Sequence, residues 1–66
     1  MIRAEHIVEY RFASDFNWHR YYVTNDWNEA SERLEAAKKT VPNVAEIRIR
    51  TTLTQTQITE YWRQTE

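Results

Sequence analysis

The sequence contains no cysteine, no glycine and only one proline. Without cysteine, a chain of 66 residues cannot use the disulfide bonds that stabilise many small domains. Without glycine, it cannot build the glycine-rich loops that hold nucleotide phosphates in P-loop and Rossmann proteins. These absences exclude a disulfide scaffold and the two commonest nucleotide-binding motifs.

Other common functional features are also missing. The two histidines, His6 and His19, are too few for a structural zinc site, which needs four nitrogen or sulfur ligands. No apolar segment approaches the length of a membrane helix, and residues 1–6 lack the apolar stretch of a signal peptide. We therefore expect no metal or other cofactor, no membrane association and a cytoplasmic location.

The sequence offers little for catalysis. An active site needs a nucleophile with a base, or an acid with a base, inside a pocket. His19 and Asp15 are close enough in sequence to form an acid–base pair, but they fall in or beside a predicted hairpin loop. Ser14 has no nucleophile elbow around it. We expect no enzyme, with both histidines serving as sheet residues.

Aromatic residues are abundant, whereas charge is balanced. Nine basic and ten acidic side chains give a net charge of -1, which argues against a non-specific polyanion binder. A domain of this length buries only about 60% of its unfolded surface, so its core cannot enclose three Trp, four Tyr and two Phe. Exposed Trp and Tyr commonly anchor interfaces. The composition therefore favours a protein that works by binding.

Hydrophobic periodicity predicts one domain over residues 1–66 with the element order ββαββ. Period-two alternation predicts strands over residues 4–12, 18–24, 44–53 and 58–63, the last after a poorly specified turn at Gln55–Gln57.

Three- and four-residue apolar spacing predicts a helix that follows Asp26 and ends near Thr40, before Pro42. Asp26 and Glu29 have the spacing of a capping box.

A right-handed connection through the helix places the third strand beside the first. The sequence thus predicts an α+β fold with an antiparallel sheet of order 2-1-3-4 and one helix packed on one face. The helix stripe of Trp27, Leu34 and Val41 is expected to cover Val8, Tyr10, Phe12, Tyr21, Val23, Ile47, Ile49 and Leu53.

The same alternation leaves arginines and aromatic rings on the uncovered face of the sheet. Its predicted members are Ile7, Glu9, Arg11, Trp18, Arg20, Tyr22, Glu46, Arg48 and Arg50. Interface cores favour Trp, Tyr and Arg. The residues that we predict to bind a partner are Arg11, Trp18, Arg20, Tyr22, Arg48 and Arg50.

Several functions fit such a face. It can bind another protein, including a second copy in a homodimer, or bind nucleic acid through stacking and phosphate contacts. It can also build a self-assembling structural subunit, or be a solvated face whose Arg–Glu and Arg–aromatic contacts only stabilise the sheet. The threonine-rich stretch Thr51–Thr59 is interpreted as an exposed strand and turn; alternatives are an edge that accepts a partner strand and an array of hydroxyl groups.

The layout of the whole chain resembles the small accessory proteins encoded by tailed bacteriophages. The residues that carry this resemblance are Glu9-Tyr10-Arg11, the acidic helix from Glu29-Ala30 to Lys39, Glu46-Ile47-Arg48-Ile49-Arg50, and Glu60-Tyr61-Trp62. The resemblance implies a protein that binds a host factor in the host cytoplasm and modulates or inhibits it. It assigns no role to any single residue.

Overall fold

The computed structural model describes residues 4–53 and 55–64, so the parts of the predicted domain at residues 1–3, 54 and 65–66 lie outside the described residues. In chain order the elements are β1 (Glu5–Phe12), β2 (His19–Thr24), α1 (Trp27–Thr40), β3 (Val44–Thr52) and β4 (Thr56–Arg63). The strands form one antiparallel sheet of order β2-β1-β3-β4. The predicted α+β fold and strand order are confirmed.

The helix begins and ends through local backbone chemistry. The Asp26 side chain accepts a hydrogen bond from the Asn28 amide at 2.9 Å, so Asp26 caps the helix as predicted but does so through Asn28 instead of Glu29. At the other end, Val41 is extended and its amide still donates to the Ala37 carbonyl at 3.0 Å. Pro42 then prevents further helical turns. Within the part of the chain that the structure describes, no helix has the length and apolar character needed to cross a membrane.

The hydrophobic core lies between α1 and the inner strands of the sheet. Val8, Ile47 and Ile49 are fully buried on the sheet side. The helix contributes Ala30, Leu34 and Ala37, all of them buried, and the two alanines allow the helix to approach the sheet closely. At the start of the stripe, Trp27 is partly exposed and meets the ring of His6 edge-on.

A β-bulge in β2 corrects two predictions about the faces of the sheet. Val8 pairs with Tyr22 and Glu9 pairs with Arg20, which leaves Tyr21 as an extra residue in β2. Because a bulge interrupts the strict alternation of side chains, Tyr21 and Tyr22 both reach the helix side of the sheet and pack against the core. Tyr22 therefore does not lie on the uncovered face, and Val23, which pairs with Ile7, does not lie under the helix.

The turn between β3 and β4 also differs from the prediction. β3 ends at Thr52 and β4 begins at Thr56, two residues before the predicted start of the fourth strand at Ile58. Leu53 consequently falls outside the strand and is 51% exposed, whereas alternation predicts that it lies under the helix.

Phe12, which follows a register shift at the end of β1, is half-buried and contacts the rings of Tyr10 and His19.

Candidate functional site

Three arginines and a tryptophan meet on the sheet face that points away from α1. Residues that lie directly opposite each other in antiparallel strands share a face. The pairs Glu9–Arg48 and Arg11–Glu46 link β1 with β3 on this face. We define the arginine face by Glu9, Arg11, Trp18, Arg20, Glu46, Arg48, Arg50, Tyr61 and Arg63.

Glu9 is the centre of the arginine face. Its residue exposure is only 6%, although α1 lies on the other side of the sheet. Arg48 Nε donates to Glu9 Oε1 at 2.8 Å, and Arg50 donates from Nε to Oε1 at 3.2 Å and from Nη2 to Oε2 at 3.0 Å. One buried carboxylate therefore fixes two guanidinium groups on β3.

A second carboxylate holds the third arginine. Arg11 Nε donates to Glu46 Oε1 at 2.7 Å, and Arg11 Nη2 also contacts that oxygen. The hydroxyl group of Tyr61 donates to the other oxygen, Oε2 of Glu46. Arg11, Glu46 and Tyr61 thus form a chain of contacts that crosses from β1 through β3 to β4.

Trp18 lies beside these ion pairs at the entrance to β2. The guanidinium carbon of Arg48 is 4.0 Å from the centroid of the indole ring, and that of Arg11 is 4.9 Å away. Both distances suit cation–π attraction, which favours cations over the ring face. The indole ring therefore contacts one arginine that pairs with Glu9 and one that pairs with Glu46.

The ion pairs determine how the carboxyl groups titrate. Burial raises the pKa of Glu9, but the hydrogen bonds from Arg50 and Arg48 outweigh it, so the pKa lies below its ordinary value of 4.5. Hydrogen bonds from Tyr61 and then Arg11 lower the pKa of Glu46, and the Glu46 contact raises the pKa of Tyr61 above 10.0. Both carboxylates are therefore charged at neutral pH, and the arginines that they hold remain paired.

Five of the six residues predicted to bind a partner lie on the arginine face. Arg11, Trp18, Arg48 and Arg50 come together as described, and Arg20, which pairs with Glu9 across the strands, is exposed nearby. Tyr22 instead lies on the helix side, where the guanidinium carbon of Arg33 is 4.4 Å from its ring centroid.

Sequence reasoning did not include Tyr61 and Arg63 in this face. Tyr61 pairs with Arg48, and Arg63 pairs with Glu46. Extending the alternation of β3 across an antiparallel hairpin could have found both residues, but only with the position of the turn known. Sequence reasoning did place Glu9 on the face, but it did not predict that Glu9 would be buried.

The arginines are concentrated on one side of the sheet. Five of the seven arginines in the sequence share the face that points away from α1, where the carboxylates of Glu9 and Glu46 are already paired: Arg11, Arg20, Arg48, Arg50 and Arg63. The helix and its cap carry more acidic than basic groups: Asp26, Glu29, Glu32 and Glu35 against Arg33, Lys38 and Lys39. A net charge of -1 thus conceals a basic surface.

The threonine-rich segment uses its hydroxyl groups within the sheet. Thr51 Oγ1 lies 2.8 Å from Thr59 Oγ1 and 2.8 Å from His6 Nδ1. Thr52 and Thr56 make a longer contact of 3.4 Å across the same hairpin. These cross-strand contacts support the interpretation of an exposed strand and turn, because the paired hydroxyl groups satisfy one another.

His19 and Asp15, which are close in sequence, also contact each other in the β1–β2 hairpin. His19 Nε2 is 2.9 Å from Asp15 Oδ2, and both side chains are partly exposed. The imidazole also lies against the ring of Tyr10, with centroids 5.3 Å apart. The two side chains therefore connect the β1–β2 loop to the first residue of β2 at the protein surface.

No protein-family model, curated protein or solved structure was found to match this chain. These comparisons therefore assign no function to the chain and no role to any residue of the arginine face.

Proposed function

We propose that this protein is a non-enzymatic binding module that recognises another protein through the arginine face and thereby inhibits or modulates it. The observation that carries the proposal is the fixed orientation of Arg11, Arg48 and Arg50. Each donates from Nε to a carboxylate of the same face, while its side chain stays 23–31% exposed. Such guanidinium groups can bind a partner without first being ordered.

Preordered side chains favour affinity. Immobilising a flexible side chain at an interface costs about 0.5–1.5 kcal/mol. Glu9 and Glu46 already hold these arginines in the free protein, so part of that cost falls on folding instead of binding. Trp18 lies against Arg11 and Arg48 and helps to hold them in place, and Trp and Arg are among the residue types that dominate binding energy.

A solvated face that only stabilises the sheet would contain many of the same contacts. The distribution of charge favours a binding role over that alternative. Two carboxylates, Glu9 and Glu46, pair with three arginines, and Arg20 and Arg63 extend the basic surface on either side. Cross-strand pairing alone would be satisfied by equal numbers of the two charges.

Nucleic acid is the less favoured partner because two guanidinium groups lie over the indole ring of Trp18. Single-strand binders stack bases on free aromatic faces. Here the guanidinium carbons of Arg48 and Arg11 are 4.0 Å and 4.9 Å from the centroid of the Trp18 ring, so that ring is not free. From the resemblance to tailed-phage accessory proteins, we further propose that the partner is a host protein in the cytoplasm.

Affinity capture from a host lysate tests the proposal. The wild-type protein should retain a partner that the double variant Arg48→Glu/Arg50→Glu loses. The matched control is Lys38→Glu/Lys39→Glu, which changes the net charge by the same amount on the helix and should retain the partner. Identical partner profiles for wild type and the arginine variant would remove the arginine face as the binding site.

Light scattering at high concentration separates partner binding from self-assembly. A monomer has a mass of 8.1 kDa, and the proposed module should stay near that mass when no partner is present. A larger mass that Arg48→Glu/Arg50→Glu abolishes would assign the arginine face to a homodimer or a larger assembly instead.

A further inference from the structure

We propose that the arginine face binds an extended acidic segment of its partner, with carboxylates on every second residue. This inference rests on the proposed function and specifies the chemistry of the partner. It follows from the spacing, the free donors and the fixed orientation of Arg11, Arg48 and Arg50.

The backbone positions of the three arginines form a bent row, because Arg11 lies on β1 and is a diagonal neighbour of Arg48, about 7–8 Å away. Arg48 and Arg50 are two residues apart on β3, and Arg11 lies directly opposite Glu46, which is two residues before Arg48. Two residues of a strand rise about 7 Å. An extended peptide has the same rise, and its alternate side chains point to one side. The backbone positions of these arginines therefore match the spacing of a segment with the pattern acidic-x-acidic-x-acidic, while the guanidinium groups of Arg48 and Arg50 lie closer together because both contact Glu9 Oε1.

Each arginine keeps donors for an incoming carboxylate. A guanidinium group has five N–H bonds. Arg48 uses only Nε in hydrogen bonds, whereas Arg11 and Arg50 each use Nε and Nη2. Within residues 4–53 and 55–64, no side chain or backbone group accepts a hydrogen bond from Nη1 of any of the three. These remaining N–H groups suit carboxylate oxygens, which form the stronger, charge-assisted type of hydrogen bond.

Glu9 and Glu46 act as positioning residues for this row. By accepting from the Nε side of each guanidinium group, they leave the Nη1 end for the partner. Glu9 is the more important of the two because it is more deeply buried and holds both Arg48 and Arg50. Losing its charge would make the arginine face more basic and at the same time release two of the three arginines. For a variant without the Glu9 charge, attraction by net charge predicts tighter binding of an acidic segment, whereas recognition by position predicts weaker binding.

Two synthetic peptides of equal composition test the spacing. One alternates serine and glutamate over eight residues, and the other places all its serines before all its glutamates. At low ionic strength, where exposed charges are least screened, the alternating peptide should bind about tenfold more tightly, a difference equivalent to about 1.4 kcal/mol. Calorimetric titration of the full chain gives both affinities, and an oligothymidylate of equal charge serves as the nucleic-acid comparison.

Variants distinguish position from charge. Arg50→Lys keeps the charge but removes the planar fork, and it should reduce the preference for the alternating peptide to about twofold or less. Arg33→Lys, the same substitution on the helix side, should leave that preference unchanged. Glu9→Gln should weaken binding of the alternating peptide despite the added positive charge. Should Glu9→Gln fail to give the circular dichroism spectrum of the folded protein, the Arg50 and Arg33 pair still decides.

Several results would overturn the inference. Equal affinity for the two peptides would show that net charge alone attracts the acidic segment. Tighter binding of oligothymidylate than of either peptide would favour nucleic acid as the partner. Failure of both peptides to bind, while a captured host protein still depends on Arg48 and Arg50, would refute the acidic segment and leave the proposed function standing. If neither peptide binds and capture of the host protein does not depend on Arg48 and Arg50, both the acidic segment and the proposed function are refuted.

Discussion

Glu9 shows how a single buried charge organises the surface around it. Removing a carboxylate from water is costly, and the cost is recovered only when hydrogen bonds satisfy its oxygens. Arg48 and Arg50 supply three such bonds to Glu9. Because both arginines remain partly exposed, their own loss of hydration is smaller than that of Glu9. The ion pairs can therefore be kept in a small domain without a large loss of stability.

Replacing Glu9 tests this view of its energetics. Glu9→Gln retains the shape of the side chain but removes the charge, so the free energy of unfolding should fall by about 2 kcal/mol, the size expected for lost hydrogen bonds to charged groups. Urea denaturation followed by circular dichroism measures the change.

Glu35→Gln is the matched control for Glu9→Gln. Glu35 pairs with Lys38 at 2.8 Å but is 61% exposed, and exposed pairs contribute about 0–1 kcal/mol. Equal losses in the two variants would show that burial of Glu9 adds nothing to its contribution.

Among the secondary-structure elements, β2 shows where local patterns stop being sufficient. Over residues 8–11 of β1 and 46–50 of β3 the apolar and polar residues alternate, so the faces of Val8, Ile49, Arg48 and Arg50 could be predicted from period alone. In β2 the consecutive residues Tyr21 and Tyr22 both pack toward the helix. Either tyrosine is a good strand residue on either face, so the sequence does not show where the bulge lies.

The sequence predicts which residues form the arginine face better than it predicts the contacts between them. Alternation placed Glu9, Arg11 and Arg48 together without the structure. The burial of Glu9 depends on neighbours from separate strands, whose register is set by the whole sheet. The same limit applies to Tyr61, because its position relative to Glu46 depends on where β3 ends and β4 begins.

The start of α1 depends on one side chain. Asp26 accepts the Asn28 amide at 2.9 Å and places a negative charge at the positive end of the helix dipole. Asp26→Ala should lower the free energy of unfolding by about 1 kcal/mol, the usual cost of losing a cap. Asp26→Asn, which keeps an acceptor oxygen, should cost much less. A thermal melt that gives the same midpoint for both variants would contradict this role of the cap.

Across the whole molecule, the arginine face couples folding to pH. The pKa values of Glu9 and Glu46 lie below their ordinary value of 4.5 in the folded protein. A group whose pKa is lowered by folding stabilises the folded state while it is ionised. This contribution is fully present above the ordinary pKa and disappears as pH falls through the lowered one.

The free energy of unfolding should therefore decrease as pH falls below the ordinary pKa of 4.5 and through the lowered pKa values of the two carboxyl groups. The double variant Glu9→Gln/Glu46→Gln should be less stable at neutral pH but should lose less stability on acidification, because two of the responsible carboxyl groups are gone. Urea midpoints measured from neutral to acidic pH should thus converge for the two proteins. Parallel curves would show that the remaining acidic residues, and not the carboxylates of the arginine face, cause the acid sensitivity.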